Sequence, residues 1–235
     1  MGPEEMLDGL LGGRANPEEL IRNQDKILGW NGQDVTRKVR PSDSEVAALG
    51  PVFQEAWDRD FKHAPNRSMM IVKLINVFLG DLASVLVGQY LSTSTFTVHP
   101  YSRGHIHITG PELGDAIDFE TGFFLESRGL DIKKQVWAYK KQREVVQQIA
   151  AYRASCCART SAPPHSLGTC KMGPYEKRGV VDARLGVEGL KIADLSVLPG
   201  NVTANTNNTA LAFGEKAADI FIKELGLGRV VVAAV

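Results

Sequence analysis

One stretch of the sequence, residues 165–218, constrains the fold and function of this chain more than any other. It begins with His165 in a loop rich in Gly and Thr, continues through a short apolar segment ending in Asp194, and closes with an Asn-rich turn before an amphipathic segment. Ligand crevices of α/β proteins open where strands end and helices begin. We therefore expect the functional site of the chain in this stretch.

The elements of this stretch each favour a ligand site. Segment 187–194 predicts a turn and a short strand that delivers Asp194 to its C-terminal end. The turn at 199–208 contains four asparagines and leads into a helix, whose N–H groups suit an electron-rich ligand. The predicted buried face of this helix contains Leu211, Ala218, Phe221 and Leu225, and Gly226 ends it. A surface turn capping a helix would explain the asparagines too, but not the neighbouring Asp and His.

His165 is a candidate acid–base group. A free imidazole titrates at about pH 6.5, near the working pH of most enzymes. An isolated loop histidine is more often structural, and its sequence context is what favours catalysis here. A zinc site of His165 with Cys156, Cys157 and Cys170 is disfavoured, because the spacing lacks a C-x-x-C pair.

The upstream sequence predicts helices around an antiparallel sheet. Pro17 suits a first helical turn, Ser42 and Glu45 form a capping-box pattern, and Pro51 should interrupt the helix that follows. The apolar segment 69–91 fits either strands or a short helix. Asp131 predicts the N-cap of a long helix. The predicted apolar face of that helix contains Ile132, Val136, Tyr139, Val146 and Ile149.

Segments 93–98 and 105–109 predict a β-hairpin with one face more exposed to solvent. His105 and His107 share that face. A metal pair is conceivable, but the sequence shows no third ligand nearby, which favours solvated strand histidines.

Composition excludes several classes of function. Positive and negative side chains balance at 27 each, which gives no electrostatic case for binding nucleic acid or an acidic membrane. No segment has the length and apolarity of a membrane span. The three cysteines do not form a secreted disulfide framework, and the first residues do not match a signal peptide. We expect a cytoplasmic or peroxisomal protein, although the C-terminal residues do not match the peroxisomal tripeptide.

Two blocks of the sequence resemble the glucose–methanol–choline (GMC) flavin oxidoreductases. The first block is HSLGTCKMG followed by VDARLGVEGLKIADLSVLPGNVTANTNNTALAFGEKAADI. The second, formed by RPSDSEVAALGPVFQEAWDRDF, HPYSRGHIHITGPELGDAIDFETGFF and VWAYKKQRE, is similar to the fungal alcohol (methanol) oxidase branch. The resemblance covers about residues 16–225.

This resemblance implies FAD as the cofactor and oxidation of an alcohol to an aldehyde by hydride transfer to the flavin. O2 is the implied acceptor, with H2O2 as product. The catalytic pair of the family corresponds to His165 and Asn205, and the implied site contains no metal. Residues implied to lie against the flavin are Asp194, Leu195, Asn205 and Thr206. The resemblance leaves the alcohol open, and also whether the protein forms a homo-oligomer.

Three features depart from the family pattern. The dinucleotide fingerprint G-x-G-x-x-G is absent from this chain. Pro164 replaces the aromatic residue that the family has before the catalytic His. The segment SCCARTSAPP replaces the strand and helix that normally precede that His. The simplest account is a C-terminal part of such an oxidase with an internal deletion, which alone binds FAD weakly or not at all. The alternative is a catalytically inactive fragment that acts at most as an interaction module.

The expected fold class is mixed α/β, with an incomplete FAD-binding α/β region and an antiparallel-sheet substrate domain flanked by helices. We assign residues 1–160 to the substrate-binding-type domain and 161–228 to the FAD-binding region that carries the catalytic motif. Residues 229–235 form a tail.

Overall fold

The computed structural model describes residues 7–148 and 165–227. The described residues form two compact units: 7–97 with 128–148, and 98–127 with 165–227. The predicted boundary at residue 160 lies outside the described residues, and the second unit also contains 98–127, which the prediction assigned to the first domain. The assignment of these units to substrate and flavin binding stays a prediction. The break predicted at SCCARTSAPP lies outside the described residues.

A three-stranded antiparallel sheet with helices on it forms the first unit. The strand order is β1-β2-β3, so the apolar segment after Ser68 forms a strand. In register, Val72 of β2 lies opposite Arg37 on one side and Thr95 on the other. The elements are α1 (Leu7–Leu11), α2 (Pro17–Arg22), β1 (Gln33–Val39), α3 (Asp43–Ala48), α4 (Pro51–Asp60), β2 (Met70–Ile75), β3 (Ser92–Thr97) and α5 (Leu130–Gln147).

The local signals predicted for α2, α3 and α4 are confirmed. Pro17 occupies the first turn of α2. The Ser42 side chain accepts from the Glu45 N–H and the Glu45 carboxylate accepts from the Ser42 N–H, which completes the capping box of α3. Pro51 is the first residue of α4, so the chain restarts a helix there after α3 ends at Ala48. Phe53 and Trp57 of α4 are buried, as are Met70 and Ile71 of β2.

Helix α5 differs from its prediction at its start and in its buried face. Its N-cap is Gly129, with φ of 65°, and Asp131 lies within the first turn. Ile132 and Val136 are exposed, and Ile149 lies outside the described residues. The buried face is instead formed by Leu130, Asp131, Lys134, Trp137, Ala138 and Gln142. Charged residues can occupy it because Lys134 Nζ lies 2.9 Å from Asp131 Oδ1, which pairs the two charges.

The second unit contains two small hairpins and a long helix. Its elements are β4 (His105–Ile108), β5 (Ile117–Glu120), β6 (Gly186–Val187), β7 (Leu190–Lys191) and α6 (Asn207–Glu224). The predicted pairing of segments 93–98 and 105–109 is wrong, because β3 pairs with β2 and β4 pairs with β5. His105 and His107 do share a face, with ring centroids 5.0 Å apart, and His105 Nε2 lies 3.2 Å from Asp118 Oδ1.

The core of the second unit packs beneath α6. It consists of Val181, Leu185, Val197 and Ala217, with Met172, Ile192, Phe213, Ile220 and Phe221 packed against it. The predicted face of α6 is therefore wrong for Leu211, Ala218 and Leu225, which are exposed, and right for Phe221. The predicted end is confirmed, because Gly226 has φ of 65° and Leu227 N–H donates to the Ile222 carbonyl.

The fold class is thus a mixture of helices and antiparallel strands, as predicted. Within residues 7–148 and 165–227, no helix is both long and apolar enough to cross a bilayer.

Candidate active site

His165 begins a loop that runs alongside the 3₁₀ helix Leu195–Val197. Three backbone hydrogen bonds join the two segments. The N–H groups of Gly168, Cys170 and Met172 donate to the carbonyls of Leu195, Ser196 and Val197, at 3.3, 2.9 and 2.7 Å. Val197 is fully buried, so this ladder fixes the loop against the core of the unit. The backbone after His165 is therefore anchored.

Asn205 and Thr206 contact opposite nitrogens of the His165 ring. The Thr206 hydroxyl oxygen lies 2.9 Å from Nδ1, and the Asn205 amide nitrogen lies 3.5 Å from Nε2. Thr206 is buried, and both other side chains are half-buried. The structure therefore brings together the two residues of the predicted catalytic pair, although they lie 40 positions apart in sequence.

This arrangement favours one tautomer of the imidazole. An amide NH2 group is only a donor, so Asn205 directs hydrogen atoms at Nε2. A neutral imidazole that accepts at Nε2 carries its proton on Nδ1, where the Thr206 hydroxyl oxygen can accept it. The lone pair of Nε2 then lies beside the Asn205 amide. His165 and Asn205 can therefore act on one oxygen atom: the imidazole accepts its proton, and the amide donates a hydrogen bond to it.

The side chain of Thr206 has a consequence for α6. Thr206 is the N-cap of this helix, and its hydroxyl makes no capping hydrogen bond, since it contacts His165 instead. The first turn of the 18-residue helix therefore lacks a side-chain cap. Its backbone N–H groups and the positive end of its dipole remain suited to an electron-rich ligand.

Asp194 differs from its predicted position. It follows β7 by three residues, and β7 forms a short antiparallel hairpin with β6, so Asp194 does not end a strand of a parallel sheet. Its carboxylate caps the 3₁₀ helix, accepting from the Ser196 N–H at 2.7 Å. The Ser196 hydroxyl, and then this N–H, hold the pKa of Asp194 below its ordinary value. Asp194 is therefore an exposed, ionised acceptor.

Leu195 is half-buried and joins the site through its carbonyl, which accepts from Gly168. Of the proposed zinc ligands, Cys170 is a free thiol, and Cys156 and Cys157 lie outside the described residues.

One contact near the site could not be predicted from the sequence. His99 Nε2 lies 2.9 Å from the hydroxyl oxygen of Thr203, two residues before Asn205. The two residues are 104 positions apart, and no spacing rule links them.

Comparison with known proteins identifies the family. Residues 100–214 match the family model described as GMC oxidoreductase. The chain carries the C-terminal domain of a GMC oxidoreductase. Members of this family are FAD flavoproteins.

The similar proteins include fungal oxidases. The chain is 28% identical to an alcohol oxidase of Pichia angusta, over 91% of this chain and 45% of the relative. It is 29% identical to an alcohol oxidase of Candida boidinii, over 85% and 43%. A solved formate oxidase of Aspergillus oryzae, which was studied for FAD modification, has the same fold. The TM-score is 0.73 over 93% of this chain and 44% of that one, at 18% identity.

The chain corresponds to only part of each of these relatives. The chain spans less than half of the length of these relatives. The alignment with the Pichia angusta enzyme extends over 303 positions, more than the 235 residues of this chain. The relative therefore contains residues within the aligned region that this GMC domain lacks.

Proposed function

We propose that this GMC domain supplies the acid–base half of an FAD-dependent active centre that oxidises an alcohol to an aldehyde, with O2 as acceptor. The observation that carries the proposal is the contact of Asn205 and Thr206 with the two ring nitrogens of His165. The similarity to fungal alcohol oxidases supports the choice of alcohol as substrate class.

In the proposed reaction His165 acts as general base. The hydroxyl proton of the alcohol passes to Nε2, while the hydrogen of the carbinol carbon leaves as hydride, so the product is an aldehyde. When bound, FAD supplies the hydride acceptor, and its reoxidation by O2 accounts for release of H2O2. Asn205 donates its amide N–H to the same oxygen atom, which orients the alcohol. Thr206 accepts from Nδ1–H and stabilises the imidazolium that forms.

The residues around His165 fit FAD. The uncapped first turn of α6 offers backbone N–H donors to an electron-rich edge of the ring system. The ionised carboxylate of Asp194 can accept from hydroxyl groups of the sugar-alcohol chain. We therefore propose that Asp194, Leu195, Asn205 and Thr206 form one side of the cofactor site, consistent with the predicted set.

The test joins this chain to an FAD-binding half of a GMC oxidoreductase and replaces His165 by Ala. Because a positioned general base contributes about 10²- to 10⁴-fold to rate, alcohol-dependent H2O2 formation should fall by that factor. His107→Ala, which removes an exposed imidazole on β4, is the matched control and should leave the rate unchanged. An unchanged rate in the His165 variant would contradict the proposed role.

A second candidate function is an interaction module without catalysis. It is favoured by the apolar side chains that α6 exposes: Leu211 is 64% and Ile222 43% accessible. Apolar side chains at this spacing on one helix are typical of a contact surface. The two candidates differ in one outcome, because the inactive module gives no H2O2 even when joined to an FAD-binding half.

A further inference from the structure

The turn that carries Asn205 needs support from outside itself. Residues 198–206 lie between the 3₁₀ helix and α6, and they form neither helix nor strand. The Asn205 amide lies 3.5 Å from His165 Nε2, at the outer limit of a hydrogen bond. A small displacement of the turn would therefore break this contact.

Side chains from two other segments reach this turn. His165 contacts Asn205 and Thr206 at its end. His99 Nε2 lies 2.9 Å from the Thr203 hydroxyl oxygen in its middle, a normal length for a hydrogen bond. Within the turn, the Asn201 side chain accepts from the neighbouring Val202 N–H, which is a local contact. Among the described residues, His99 thus supports the turn from outside, two positions before Asn205.

His99 is itself held in place. Val98 before it is 1% exposed, and Pro100 after it restricts the backbone of His99 to extended conformations. The imidazole is half-buried and belongs to the same compact unit as Thr203. A side chain anchored on both sides can fix the hydroxyl that it contacts.

We infer that His99 is a positioning residue of the active site, which holds Thr203 and so fixes the turn that presents Asn205 to His165. This inference rests on the proposed function in taking His165 and Asn205 as the acting pair. The hydrogen bond of His99 is to Thr203, so its effect on Asn205 passes through the backbone from Thr203 to Asn205.

The test compares Thr203→Val with Thr203→Ser in the full chain, by NMR of ¹⁵N-labelled side chains without any flavin. Val keeps the shape of Thr and lacks its hydroxyl, whereas Ser keeps the hydroxyl. Val should shift the Asn205 amide and His165 Nε2 signals by more than their line widths, and Ser should leave both in place. His99→Gln, whose amide can reach the same hydroxyl, should also retain both signals, whereas His99→Ala should shift them.

Two results would overturn the inference. One is unchanged Asn205 and His165 signals in a folded Thr203→Val chain. The other is equal shifts in the Ser and Val variants, which would show that the hydroxyl is not the support. The His107→Ala chain identifies signals that move through nonspecific effects. Because no step requires turnover, shifted signals would retain the positioning role even if the chain joined to an FAD-binding half fails to oxidise alcohol, an outcome that contradicts only the proposed function.

Discussion

At the scale of single residues, the His165 ring has a different polar partner on each nitrogen. Thr206 contacts Nδ1 and Asn205 approaches Nε2, so the two residues perform separate tasks. A partner on Nδ1 sets the tautomer of a catalytic histidine and the orientation of its ring. Thr206 is thus more than a residue beside the cofactor, because its hydroxyl is committed to His165.

We predict that Thr206→Val lowers the rate of alcohol oxidation by the chain joined to an FAD-binding half. Loss of the hydroxyl of the buried Thr206 removes this partner of Nδ1, which costs about 1–3 kcal/mol, or roughly 5- to 150-fold in rate. Thr206→Ser keeps the hydroxyl and should retain most of the activity. Equal rates of H2O2 formation in the Val and Ser variants would show that the contact has no role in catalysis.

Asp194 predicts a pH dependence of stability. Its pKa is lowered in the folded state by the Ser196 hydroxyl and N–H, so its stabilising effect is present above the ordinary Asp value of about 3.9. That effect is lost as the pH falls through the lowered pKa. Asp194→Asn, which keeps an oxygen acceptor, should therefore be less stable than the parent at neutral pH and equally stable in strong acid.

Solvent screening of the exposed Asp194 should keep this difference below about 1 kcal/mol. Urea unfolding at several pH values measures it, and Asp194→Ala should be less stable than the parent over the whole range, because it also removes the cap. A constant offset between the Asn variant and the parent down to strong acid would refute the assignment.

At the scale of elements, α5 and α6 each bury a face that differs from the one predicted by hydrophobic periodicity. The buried face of α5 contains Lys134 and Asp131, whereas Ile132 and Val136 are exposed. Lys134 Nζ lies 2.9 Å from Asp131 Oδ1 and 5.9 Å from the centre of the Phe61 ring. Burial of Lys134 is tolerated because its charge is paired and its methylene groups are apolar.

We predict that Lys134→Met destabilises the chain by about 3–5 kcal/mol, because it removes the partner of the buried Asp131 carboxylate. The double variant Asp131→Leu/Lys134→Met should recover most of this loss, since it removes both charges. Denaturant unfolding measures both. Lys141→Met, on the exposed side of the same helix, loses ion pairs with Glu45 and Glu144 and should cost less than about 1 kcal/mol. A double variant as unstable as the single one would contradict the explanation.

At the scale of the whole molecule, the chain holds part of a GMC oxidoreductase. It spans less than half of its alcohol oxidase relatives, and its sequence lacks G-x-G-x-x-G. That fingerprint allows the backbone to approach the pyrophosphate of a dinucleotide, and its absence removes the main anionic-group site. The cofactor contacts proposed for Asp194 and α6 involve the other end of FAD.

We therefore predict that the purified chain binds FAD weakly or not at all. Titration with FAD, followed by flavin fluorescence, should show little binding, whereas the same chain joined to an FAD-binding half should bind FAD stoichiometrically. Removal of excess FAD by gel filtration, and the flavin absorbance of the protein peak, provide the independent check. Stoichiometric flavin in the unjoined chain would refute the prediction.

Features that depend on short-range chemistry or on a long motif follow from the sequence alone. Capping at Ser42, the helix start at Pro51 and the helix end at Gly226 follow from neighbouring residues, so they were predictable. The resemblance of residues 165–218 predicted the family, which the match over residues 100–214 confirms.

Which distant segments meet depends on the tertiary fold. Strand β4 pairs with β5 rather than with β3. The alternation of side chains along β4 is the same for either partner, so it could not predict which strand pairs with it. The buried faces of α5 and α6 depend on what packs against them, and the paired charge of Lys134 overrides hydrophobic periodicity. The contacts of His165 with Thr206, and of His99 with Thr203, join residues 41 and 104 positions apart. No local preference encodes such distances, because the chain must fold before these side chains can meet.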